Sequence, residues 1–195
     1  ALAEDASLRS EANRAMMRAH FAEGAEDVAL TYAEGIVADL RQSPEDRSEA
    51  FAVRLRVLEA KYRAQPSDSL RLGLWQQAAE DAIAEAAVGT QAEAMYAKAS
   101  ILRIRGKYAA SSEAVFGLLD NYPGQQEWRF RALLVLARNY ASLNDGFQAR
   151  YTLDFVIAEH PSDALVREAQ ALLAEFNAAQ LESNAPQTTT EDDAE

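Results

Sequence analysis

The feature that most constrains this chain is a repeat of its punctuation. Gly106 and Asn144, Leu102 and Tyr140, and Pro123 and Pro161 stand 38 residues apart. A period of that length belongs to a helix pair. One pair cannot bury its apolar face alone, so the pattern predicts hairpins stacked on one another. Gly or Asn at the turn permits a sharp reversal between paired helices. The proline then ends the second helix and steers the chain toward the next pair.

Between these marks apolar residues recur at spacings of three and four, the helical period. Ala92, Met95, Ala99 and Leu102 make one stripe, and Val115, Leu118, Leu119 and Tyr122 the next. Leu133, Leu136, Ala137 and Tyr140 follow, then Ala149, Leu153, Val156 and Ile157. No run of period-two alternation argues for a strand. Upstream the same reading predicts helices over 5–22, 26–42, 45–64 and 67–88, broken near Gly24, Pro44, Pro66 and Gly89-Thr90. Ser43 and Ser67-Asp68 offer capping oxygens at two of the starts.

A last helix over 163–182 carries Leu165, Ala169, Leu172 and Phe176, with a polar outer face suited to capping a stack. The expected fold is therefore all-α, an α-solenoid of about four antiparallel hairpins with a C-terminal capping helix. Its expected divisions are degenerate hairpins over 1–88, two clear repeats over 89–161, the cap over 162–182 and a disordered acidic tail over 183–195.

Composition narrows the function classes. A net charge of −12 argues against non-specific binding to nucleic acid or anionic lipid. No stretch approaches the roughly 18 apolar residues of a membrane helix. With no cysteine, disulfide frameworks, thiol nucleophiles and thiolate metal sites are absent. The chain begins at Ala1 without a charged-then-apolar leader, so it is expected to be a processed chain or a piece of a longer one.

The punctuation resembles that of the tetratricopeptide (TPR) repeat. Gly106, Tyr108 and Pro123 fall at the expected spacing, and Ala99 fills the small site of the first helix. In the next repeat Ala137, Tyr140, Ala149 and Pro161 match, while Asn144 replaces the turn glycine and Gly146 the tyrosine. Ser111 stands where alanine is usual. The usual unit has about 34 residues, so the longer period implies extra residues around Gly124 to Trp128. The stretch 90–161, above all Trp128 to "DGFQARYTL", is similar to the C-terminal part of large TPR proteins of Bacteroidota cell envelopes. That resemblance implies a scaffold or assembly protein of the periplasm or cell envelope, and it carries over no catalytic residue.

The residues themselves offer little chemistry. His20 and His160 are 140 positions apart, with no convergent partners for a metal or a nucleophile relay. Both are expected at helix ends, and neither a metal nor a cofactor is expected. Acidic neighbours such as Glu26-Asp27, Glu45-Asp46 and Glu80-Asp81 diverge around a helix and suit solvated faces or helix starts. Trp75 is expected in the core beside Ala78 and Ala79. Trp128, near a helix start, is expected partly exposed and packing.

One constellation is sharper. The first helix of each stacked pair lines the concave surface of a solenoid. The register brings Glu93, Tyr96, Ser100 and Arg103 from one pair to that groove, and Arg131, Leu134 and Arg138 from the next. Tyr96, Ser100, Arg103, Arg131, Leu134 and Arg138 are thus the candidate peptide-binding residues. Three arginines there suit an acidic or C-terminal peptide, because guanidinium forks hold carboxylates bidentately. The ordinary alternative is that the arginines pair with neighbouring glutamates. The favoured expectation is a non-catalytic scaffold for a protein or peptide partner in a larger complex. A self-associating structural array is the alternative.

Overall fold

The computed structural model describes residues 2–159 and 162–183, which form nine α-helices and no strand. They are α1 (Leu2–Ala22), α2 (Glu26–Ala38), α3 (Pro44–Ala64), α4 (Ser69–Glu85), α5 (Val88–Ile104), α6 (Tyr108–Asn121), α7 (Gln126–Ser142), α8 (Gly146–Glu159) and α9 (Asp163–Ser183). His160, Pro161 and the acidic tail from 184 onward lie outside the described residues, and so do the expectations placed on them.

Three connections are the same turn. Gly106 (φ 71°) donates its N–H to the Arg103 carbonyl, and Lys107 donates to that of Leu102. Asn144 (φ 60°) and Asp145 do the same to Ala141 and Tyr140. Gly24 (φ 76°) and Ala25 repeat it on Phe21 and His20. Each is a left-handed cap that satisfies the last carbonyls of the first helix while the chain reverses.

Other ends depend on side chains. Pro44 occupies the first turn of α3, where its missing N–H costs nothing, and Ser43 Oγ accepts from the Asp46 N–H. The Asp68 carboxylate accepts from Leu70 and Arg71 at the start of α4. α2 ends at Ala38, four residues short of the predicted boundary, because Asp39 accepts from both the backbone and the guanidinium of Arg41 and builds a local turn instead.

The predicted break at Gly89-Thr90 is also displaced. Both residues lie in the first turn of α5, and the chain turns at Ala86-Ala87. Ser48 on α3 sets that position: its Oγ accepts from the Ala87 N–H at 2.6 Å, and its carbonyl accepts from Thr90 Oγ1 at 3.2 Å.

Successive helices pack against one another, and the odd-numbered helices also form a continuous layer, α1 on α3, α3 on α5, α5 on α7 and α7 on α9. Among the described residues the even-numbered helices touch only their neighbours in sequence. Hairpins packed closely along one layer and splayed along the other are wedges, so the odd-numbered helices line the inner side of the stack. Each apolar core spans three consecutive helices. Met17, Ile36 and Val57 join α1 to α3; Phe51, Trp75 and Ile101 join α3 to α5. Val115, Leu118 and Leu136 serve α5 to α7, and Leu153, Val156 and Leu165 serve α7 to α9. Trp75 is 1% exposed, the core residue that its neighbours predicted. Among the described residues no helix is long and apolar enough to cross a membrane.

Candidate functional site

Two cavities on the inner layer bring together residues of successive odd-numbered helices. The first, about 440 Å³, lies over the seams of α3, α5 and α7. Arg56, Glu59 and Arg63 come from α3, Glu93 and Tyr96 from α5, and Glu127, Trp128 and Arg131 from α7. Residues three or four apart on a helix share a face, so each helix brings its contribution as one short row.

Every arginine of this cavity has a carboxylate. Arg56 donates from Nε and Nη2 to Glu93 at 2.7 and 2.9 Å, across the α3–α5 seam. Arg63 donates to Glu59 and Arg131 to Glu127, each one helical turn away. Burial pushes the Glu93 carboxyl up from its ordinary range, and the Arg56 guanidinium opposes that shift. The pairing itself holds Arg56 more firmly protonated. Three arginines against three glutamates leave the cavity near electroneutral.

Its platform is aromatic. The Tyr96 and Trp128 rings lie 5.6 Å apart, and the Arg131 guanidinium sits 5.4 Å over the Trp128 ring. Two tilted rings in contact, one of them under a cation, offer a surface that takes planar or apolar groups at small entropic cost. Burial pushes the Tyr96 phenol up, with the Glu59 charge adding to it.

The second cavity, about 570 Å³, opens between the C-terminal halves of α7 and α9, above the α7–α8 turn. Ala137, Ala141, Ala149, Leu153, Leu172 and Phe176 give it an apolar interior, with Arg103, Arg138 and Glu175 among its polar lining. Arg138 donates to Glu168 on α9 at 2.8 Å.

The six expected groove residues are therefore divided. Tyr96 and Arg131 line the first cavity, Arg103 and Arg138 the second, and Ser100 lines neither. Leu134 is 1% exposed and packs with Leu165 and Ala169 of α9, so it belongs to the core and offers no surface. The cause lies in what covers each position. Tyr96 and Leu134 stand in the same register, 38 residues apart, but the next inner helix lays Trp128 beside the first and Leu165 and Ala169 over the second.

Arg56, Glu59 and Arg63 were not among the expected residues, nor were Leu172 and Phe176. Position 56 is 37 residues before Glu93 and 59 is 37 before Tyr96, so carrying the register upstream would have found them. His20 stacks on Tyr32 near the end of α1, with ring centroids 5.8 Å apart. Among the described residues no group of three or more His, Cys, Asp or Glu converges as metal ligands do.

No family model and no curated protein matches this chain. Among solved structures, one described as the nearly identical TPR-like repeats of a kinesin light chain from Podosopora anserina matches with a TM-score of 0.51. The two chains are 15% identical, and the match covers 91% of this chain and 98% of the other. Likeness at that identity concerns the fold alone, and it agrees with the helix order: the chain is an α-solenoid of TPR-like hairpins closed by a capping helix.

Proposed function

We propose that this chain is a non-catalytic protein-interaction scaffold that holds an extended segment of a partner along its inner layer, in the assembly of a cell-envelope complex. The observation that carries the binding reading is the cavity over α3, α5 and α7, with the Tyr96–Trp128 platform framed by paired charges. Aromatic anchors surrounded by satisfied polar groups are the usual makeup of a peptide-binding face. The envelope setting rests on the similarity of 90–161 to envelope TPR proteins. An acidic partner fits the second cavity, where Arg103 has no carboxylate, better than the first, where every arginine has one.

One observation favours self-association as a second reading. Phe147 and Tyr151 on α8 are 75% and 65% exposed and stack on each other at 6.3 Å, with Phe155 one turn further on the same outer face. A photo-crosslinking amino acid placed at Tyr96, and separately at Phe147, distinguishes the two readings. Crosslinks from position 96 to a foreign segment support the inner-layer scaffold. Crosslinks only from position 147, and only to a second copy of the chain, would replace it with the self-associating array.

A further inference from the structure

The second cavity is lined by an arginine that lacks a counter-charge among the described residues, Arg103. Arg47 and Arg54 also have a buried Nε without a partner, yet each holds a carboxylate through its terminal nitrogens. Arg103 does not. Its Nε is sheltered from solvent with no acceptor, and its side chain makes no ion pair or hydrogen bond among the described residues. Burial pulls its guanidinium down from its ordinary value, and the positive Arg138 adds to that. Arg138 is already bound to Glu168. A sheltered donor left without an acceptor disfavours the folded state, and an acceptor brought to it is correspondingly favourable. Beside it stands an open apolar cavity rather than packed side chains.

We infer that the cavity between α7 and α9 is a subsite for a bulky apolar side chain of a bound peptide, with a neighbouring acidic side chain of that peptide on Arg103. The apolar group fills the space bounded by Ala137, Leu153, Leu172 and Phe176, and the carboxylate supplies the missing acceptor at the rim. Arg138 is held by Glu168, so the unpaired guanidinium of Arg103 selects the occupant, against the carboxylate of Glu175. That carboxylate makes no ion pair with either arginine and is the internal competitor for the site. Arg103 shares α5 with Tyr96 and Arg138 shares α7 with Arg131, each pair seven residues apart. Seven residues is about 10 Å along a helix, so an extended peptide leaving this cavity reaches the aromatic platform. The inference rests on the inner layer being the binding face.

The test is selection of random linear peptides displayed on phage against the full chain, repeated on Arg103→Glu, Arg103→Ala, Glu175→Gln and Trp128→Ala, each checked for an unchanged melting curve. The expected result is enrichment of an apolar–acidic pair, a switch to an apolar–basic pair on Arg103→Glu, and tighter binding to Glu175→Gln. The affinity of a selected peptide should fall about tenfold or more on Arg103→Ala, the loss of one charged hydrogen bond. Arg103 is only half-buried, so its replacement leaves the core intact. Selected peptides without such a pair, insensitive to Arg103 but lost on Trp128→Ala, overturn the subsite and leave the inner-layer reading standing. No enrichment over an unrelated helical protein overturns both.

Discussion

Asn139 on α7 donates from Nδ2 to Ser111 Oγ on α6 at 2.8 Å, and Ser111 donates onward to the Ala99 carbonyl on α5 at 2.7 Å. Asn139 is fully buried, and a second bond runs from Nδ2 to Ser112 Oγ at 3.2 Å. A polar chain thus crosses all three helices of one core, and it accounts for serine where a TPR unit usually has alanine. The replacement Ser111→Ala, which restores the usual residue, is expected to destabilise by about 1–3 kcal/mol, because it strips a buried amide of a partner. Adding Asn139→Leu removes the stranded group and should recover part of the loss. Urea titrations of the two single variants and the double variant check the coupling.

The Glu93–Arg56 pair gives a signed pH dependence. Burial raises the Glu93 pKa in the folded chain, and Arg56 only partly opposes it. A group whose folded pKa lies above its unfolded one contributes stability that is fully present below the unfolded value. That contribution is lost as pH rises through the folded value. Asp27, Asp39 and Asp46 run the opposite way: Lys61, Arg41 and Arg14 respectively hold them low, so their contributions disappear only on acidification. Glu93→Gln should therefore flatten the fall in stability that begins at the ordinary glutamate range and continues above it. It should leave the acid limb unchanged. Unfolding midpoints measured against pH give the comparison, and parallel curves for Glu93→Gln and wild type would contradict it.

Leu134 and Arg131, three residues apart on α7, should separate stability from binding. Leu134→Ala opens a cavity in the α7–α9 core and is expected to cost about 2–4 kcal/mol. Arg131→Ala loses an exposed pair with Glu127, worth under about 1 kcal/mol, but removes the cation over Trp128. Thermal melts and peptide titrations of both variants should show opposite rankings. A stable Leu134→Ala with weakened peptide binding would return that residue to the groove.

How legible this molecule was depends on where each signal originates. Gly106 and Asn144 announce their turns because a left-handed backbone excludes most other residues, a local constraint written in residue type. The Ala86-Ala87 turn is set by Ser48, 39 residues from Ala87, and nothing in the sequence around it points there. The groove shows the same division. Helical spacing places Tyr96, Arg131 and Arg138 on the inner layer. Whether such a position is open is decided by the following helix, which leaves Tyr96 beside a ring and covers Leu134. The pairing of arginines is likewise split: Glu127 is one turn from Arg131 and visible in sequence, whereas Glu93 and Glu168 reach Arg56 and Arg138 across seams.

The nearest-neighbour cores predict how the stack behaves when cut. Ala94, Ala97 and Ile101 on α5 pack on Trp75, Ala78 and Ala79 of α4, so a fragment starting at Val88 exposes that face although its own two cores stay whole. It should still unfold cooperatively, because repeats add as intrinsic terms plus interfaces. It should be less stable than the full chain and prone to aggregate through the uncovered face. Ile101→Gln then has opposite effects in the two contexts. In the full chain it places an amide in a core where Ile101 is 2% exposed and should cost about 2–4 kcal/mol. In the fragment the same change meets water and should raise solubility at little cost in stability. Circular dichroism melts with light scattering on all four proteins test the crossing. A fragment without a cooperative melt, with or without Ile101→Gln, would show that the two halves of the stack form one indivisible unit.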